Sequence, residues 1–118
     1  MLKFYHYSGC STCRRASAFL KKRGIPFKEL DIIECPPSKT ELKAMLKANN
    51  GEIRRLFNTS GEQYRALNMK ERLPELSQVE AIELLSHNGK LIRRPFAIDR
   101  SLSLLGFKES DWKKAFSS

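Results

Sequence analysis

Apolar positions along the chain switch between two periods, and the switches mark the elements. Leu2 to Tyr7 is a short aromatic-rich run that ends at Ser8-Gly9, the pattern of a strand entering a tight turn. From Ser11 to Lys22 the apolar residues Ala16, Phe19 and Leu20 recur at helical spacing, and Gly24 with Pro26 stops the segment. Ile25 to Ile33 then reads as a second strand. A strand, helix, strand opening of this kind packs with its strands parallel and its crossover right-handed.

The middle of the chain is helical in pieces. Pro36-Pro37-Ser38 introduces a helix in which Ser38 and Glu41 have capping-box spacing, Leu42, Met45 and Leu46 share a face, and Asn49-Asn50-Gly51 is the stop. Glu52 to Arg72 is interrupted near Asn58-Thr59-Ser60-Gly61, a polar turn suited to capping the residues from Glu62 or to holding an anion. Ser77 and Glu80 repeat the capping-box spacing ahead of Val79, Ile82 and Leu85, and Asn88-Gly89 closes that helix. Leu91 to Asp99 and Ser101 to Leu105 have the pattern of a hairpin, and a helix over about Glu109 to Phe116 follows. The order predicts an α/β protein: a thioredoxin-like mixed sheet with a helical insertion, about residues 38–87, between the second and third strands.

Composition narrows this to one domain. At 118 residues and 41% hydrophobic content, residues 1–118 can bury a core without staples, and no repeat or linker divides them. No charged leader with a long apolar run opens the chain, and no stretch approaches the roughly 20 apolar residues of a membrane span, so a cytoplasmic protein without membrane association is expected. The net charge of +9 is spread over short runs, Lys21-Lys22-Arg23, Arg54-Arg55 and Arg93-Arg94. Such runs read as solvated faces that favour anionic substrates or partners, without a direct nucleic-acid groove.

The cysteines change the picture more. Three is an odd number and too few for a secreted disulfide framework. Cys10-Ser11-Thr12-Cys13 puts two thiols three positions apart, just after a strand and at the mouth of a helix. There the unpaired N–H groups, the dipole and the neighbouring Arg14 and Arg15 stabilise a thiolate. Cys10 lies outside the first turn, where its sulfur can accept those N–H bonds, and Cys13 lies one turn inside. Cys10 is therefore expected to attack and Cys13 to resolve. The alternative, a zinc half-site, needs two more ligands, and only Cys35, His6 and His87 are available, widely separated. Cys35, in a loop before two prolines, reads as a buried small side chain or a bystander thiol. Arg94-Pro95 stands ahead of an apolar strand. A cis bond there, if Pro95 faces the cysteines, sets Arg94 to stabilise a thiolate or oxyanion near Cys10, and the alternative is an ordinary edge-strand proline with a solvated arginine.

Taken in order, the aromatic strand into Cys10-Ser11-Thr12-Cys13-Arg14, then Pro36-Pro37-Ser38, Leu91-Ile92-Arg93-Arg94-Pro95 and Gly106-Phe107 resemble the ArsC/Spx family over nearly the whole chain. The Phe57-Asn58-Thr59-Ser60-Gly61 turn and the Tyr64-Arg65 to Asn68 segment are similar to its short arsenate-reductase-like members. The resemblance implies a thioredoxin-like fold, Cys10 in the place of the cysteine that attacks arsenate, and Arg94 in that of an oxyanion-binding arginine. Ser11, Thr12, Arg14, Asn58 and Pro95 are the expected substrate-binding neighbours. Asn58 and Phe107 stand where the family carries two further oxyanion-binding arginines. Losing two charge-assisted pairs, roughly 1.5–3 kcal/mol each, disfavours arsenate itself as substrate. The activity expected is that of a monomeric thiol–disulfide oxidoreductase with no metal or organic cofactor, reduced by an external thiol such as thioredoxin or glutathione. The resemblance to Spx implies the rival class, a redox-sensing regulator that uses a surface near Asn49-Asn50-Gly51 to bind the C-terminal domain of the RNA polymerase α subunit.

Overall fold

The aromatic run at the start of the chain becomes the centre of the sheet. In the computed structural model, which describes residues 1–117, Leu2–His6 forms β1 and Phe27–Asp31 forms β2, paired in parallel with Leu2 opposite Phe27 and His6 opposite Asp31. On its other side β1 pairs antiparallel with β3, Phe96–Ile98, which in turn pairs antiparallel with β4, Ser103–Leu105. The strand order is β2-β1-β3-β4.

Because side chains alternate across a strand, β1 serves two cores. Leu2 and Phe4, with Ala97 of β3, pack under Ala16 and Leu20 of α1, Ser11–Lys22, and under Trp112 of α6, Glu109–Phe116. Tyr5, with Phe96 and Ile98, joins the other cluster, built on the insertion. The insertion contains α2 (Lys39–Ala48), α3 (Glu62–Ala66), α4 (Met69–Arg72) and α5 (Gln78–Ser86), with 3₁₀ turns between α2 and α3 and between α4 and α5. Leu42 and Met45 of α2 and Ile82 and Leu85 of α5 are its contribution to this core. No helix among the described residues is long and apolar enough to cross a membrane.

Both capping boxes form. Ser38 Oγ accepts from Glu41 N and Glu41 Oε1 from Ser38 N, at 3.1 and 3.0 Å, and Ser77 and Glu80 repeat this at 3.1 and 2.9 Å. Glu41 does more than cap: it also accepts the Tyr5 hydroxyl at 2.7 Å and pairs with Lys3 at 3.2 Å. Burial opposes its ionisation, but the hydrogen bonds from Ser38, Tyr5 and Lys3 prevail and hold the carboxyl below the usual carboxylate range. Asn50 and Gly51, both at positive φ, stop α2 as the sequence implies.

Several boundaries differ from the sequence pattern. The second strand ends at Asp31 and not Ile33, because Asp31 Oδ1 accepts the N–H groups of Ile33 and Glu34 while its carbonyl takes that of Cys35, turning the chain out of the sheet. The third strand starts at Phe96 and not Leu91. Leu91 and Ile92 are buried, but Ile92 bridges Phe57 and Arg93 N donates to Leu56 O, and a cis Arg94–Pro95 bond precedes the strand. Val79 is 76% exposed, not a core residue. The buried stripe of α5 centres on Ala81, Ile82 and Leu85, about 110° round a helix of roughly 3.6 residues per turn from Val79. The turn before Glu62 does not cap with a side chain: Gly61 is the N-cap.

Candidate functional site

The two thiols are brought together where β1 hands over to α1. Cys10 N donates to Tyr7 O at 3.0 Å, closing the turn through Ser8-Gly9, and Cys10 becomes the N-cap of α1 in an extended conformation. Its Sγ accepts the backbone N–H of Cys13 at 3.2 Å, so the sulfur stands in for the oxygen of an ordinary capping residue. The first turn of α1 carries no acidic side chain.

Cys13 is a different kind of thiol. It is 2% exposed, whereas Cys10 is half-buried. Burial pushes the Cys13 thiol up to about 12, its hydrogen bond with Cys10 adds to the rise, and the Tyr7 backbone, then the charge of Arg94, draw it part of the way back. At neutral pH Cys13 keeps its proton, and the two thiols of the pair are chemically unequal.

Arg94 and Pro95 arrive at the start of β3, the strand paired beside β1. Pro95 is buried and Arg94 is half-buried, with its guanidinium carbon 4.9 Å from the centroid of the Tyr7 ring. That ring also lies against Gly9, where a Cβ would come within 3.0 Å of Tyr7 Cε2. Tyr7 thus sits between Gly9 and Arg94, next to Cys10, with 37% of its surface exposed. The sequence pattern places it at the end of a strand. The signal available was an aromatic residue between the strand and the cysteine motif.

The remaining expected residues divide. Ser11 is exposed and Thr12 half-buried, both in the turn of α1 that starts beside Cys10. Arg14 is exposed, donates to Ser8 O at 3.2 Å, and lines a groove of about 300 Å³ with Cys13 and His6. Asn58 shares a second cleft, of about 260 Å³, with Tyr7 and Arg94. Phe107 belongs to an aromatic group with Phe19 and Trp112, at ring distances of 5.8 and 5.2 Å, and the Arg15 guanidinium carbon lies over its ring, 6.0 Å from the centroid. Cys35 is exposed, which removes the reading of a buried thiol and leaves the bystander. Among the described residues no three His, Cys, Asp or Glu side chains converge as a metal site.

A mixed sheet with an inserted helical layer and a CxxC pair opening the first helix defines a protein of thioredoxin-like fold. The comparisons agree: the ArsC family pattern matches residues 5–115. The chain belongs to the ArsC family. It is 43% identical over 113 residues to the uncharacterised protein YusI of Bacillus subtilis (strain 168), covering 96% of both chains. It is 35% identical to the global transcriptional regulator Spx of Enterococcus faecalis (strain ATCC 700802 / V583), covering 97% of this chain and 85% of that one. The crystal structure of a possible arsenate reductase from Streptococcus mutans UA159 superposes with a TM-score of 0.87 at 38% identity, over 96% of this chain and 98% of that one.

Proposed function

We propose that the protein is a thiol–disulfide oxidoreductase of the cytosol in which Cys10 is the nucleophile and Cys13 the resolving thiol. Cys10 thiolate attacks one sulfur of an oxidised substrate; the substrate S–S bond breaks, and a mixed disulfide forms on Cys10. Cys13 then gives up its proton and attacks the Cys10 sulfur, releasing the reduced substrate and leaving a Cys10–Cys13 disulfide. Two electrons from an external dithiol of the thioredoxin type, or from two glutathione molecules, return the pair to thiols. The observation that carries this reading is the inequality of the two sulfurs. One is accessible and sits at a helix N-cap; the other is buried and protonated.

Cys13→Ser should accumulate a mixed disulfide on Cys10, seen by mass spectrometry, where the native protein under mild oxidation gives the internal bridge. Iodoacetamide should modify Cys10 faster than the exposed Cys35. Equal rates at these two positions, or no adduct in the variant, would sink the proposal.

The likeness to Spx supports a second reading, a redox-sensing regulator in which the same disulfide switches binding to the C-terminal domain of the RNA polymerase α subunit. Binding by either redox form without disulfide turnover would favour it over the enzyme.

A further inference from the structure

We propose that His6 is the proton acceptor for Cys13 in the step that closes the Cys10–Cys13 bridge, with Glu29 holding the imidazole in place. This rests on the Cys10–Cys13 reading above and adds the group that releases the resolving sulfur.

Leu2, Phe4 and His6 alternate onto one face of β1, and the first two pack with Ala16 and Leu20 of α1. Cys13, Ala16 and Leu20 form the buried stripe of that helix. Because β1 and β2 are parallel, α1 runs back along β1 between them, which sets Leu20 toward the Leu2 end of the strand and Cys13 toward the His6 end. His6 continues the apolar row, its ring stacked on Phe4 with centroids 5.5 Å apart. It lines the groove of about 300 Å³ together with Cys13, Arg14, Lys21 and Glu29. Glu29 Oε2 lies 3.7 Å from His6 Nε2, which favours a proton on that nitrogen and leaves Nδ1 to accept another. Asp31, opposite His6 in β2, is occupied by the N–H groups of Ile33 and Glu34. An imidazole is the one side-chain type in this lining whose ordinary charge change falls between about pH 5 and 8.

The resolving step needs such a base. In the dithiol the Cys13 thiol hydrogen-bonds Cys10, but once Cys10 carries the substrate its sulfur is uncharged and a weak acceptor. A thiol pushed up to about 12 is thiolate in roughly one molecule in 10⁵ at pH 7, too few to attack at a useful rate. Removing the proton as the new bond forms lifts that limit. The Cys13 sulfur bonds to the Cys10 sulfur, the Cys10–substrate S–S bond breaks, and its electron pair leaves on the substrate sulfur. The Cys13 proton passes to His6 Nδ1, directly or through a water in the groove, and from there to the departing thiolate. Between these two transfers the Glu29 carboxylate stabilises the imidazolium.

The test reads the two sulfur steps apart with 5,5′-dithiobis(2-nitrobenzoate) in a Cys35→Ser background, which removes the exposed bystander thiol. The coloured thiolate is released once when Cys10 attacks and again when Cys13 displaces the adduct, and stopped-flow absorbance at high reagent concentration resolves the two phases. His6→Gln should slow the second phase by about tenfold or more and leave the first within about twofold, which also shows that the variant folds. Glu29→Gln, a change on an exposed side chain, should slow the second phase by a smaller factor. Between about pH 8 and 9 the second phase of the unsubstituted site should be level, whereas that of His6→Gln should rise about tenfold per pH unit with the Cys13 thiolate, a contrast that a packing defect does not produce. An unchanged second phase in His6→Gln, equal slowing of both phases, or a level pH profile in that variant overturns the assignment and leaves the redox pair standing. Absence of a second release from the unsubstituted site overturns both.

Discussion

At the scale of the residue, the decisive contrast lies between two cysteines three positions apart. Cys13 holds its proton in the folded state up to about pH 12, far above the roughly 8.5 of a thiol in an unfolded chain. Between those values the folded protein binds a proton that the unfolded chain has released, so the stability it contributes is complete below the unfolded value and is lost as pH rises through the folded one. The reduced protein should therefore lose stability over that alkaline window faster than a Cys13→Ala variant. Urea denaturation of both at several pH values measures it, and parallel pH profiles would contradict the assignment. Tyr5 titrates in the same sense: burial first, then its hydrogen bond to Glu41, pushes the phenol upward.

At the scale of the element, two helices begin with the same capping box but depend on it differently. Glu80 only caps α5, whereas Glu41 caps α2 and also holds the buried Tyr5 hydroxyl and Lys3. Glu41→Ala should cost about 1–3 kcal/mol, the penalty for leaving a buried hydroxyl without a partner, and more than Glu80→Ala by chemical denaturation. Both capping boxes were legible in the sequence because their signals are local: a side chain and a backbone group three positions apart. The strand ends were less legible. Asp31 ends β2 through its own side chain, and Leu91 and Ile92 satisfy their backbones against Leu56, Phe57 and Asn58, contacts that no local pattern encodes. The site divides likewise. Cys10 and Cys13 could be read from spacing, while the approach of Tyr7, Asn58 and Arg94 depends on three separate segments meeting.

At the scale of the whole molecule, the sheet separates two cores that share only the strands. Leu20 of α1 lies in one and Ile82 of α5 in the other. Leu20→Ala should cost roughly 2–5 kcal/mol and Ile82→Val roughly 0.5–1.5 kcal/mol. The double variant should equal their sum within about 0.5 kcal/mol, since the residues share no packing partner. A larger departure in denaturation experiments would show that the sheet transmits strain between its faces. The net charge of +9 lies mostly in exposed lysines and arginines outside the cleft of Tyr7 and Arg94, such as Lys21, Lys22, Arg54 and Arg55. It bears on the encounter with anionic partners, and the fold does not depend on it.

The buried Cys13 sulfur also makes the site a gate for protons. When the bridge of the proposed cycle opens below about pH 12, Cys13 must take up a proton at a position nearly closed to water. Electrons can enter the pair only in company with that proton. Whatever thiol reduces this protein must therefore act as an acid at the buried sulfur, or leave a path by which water can.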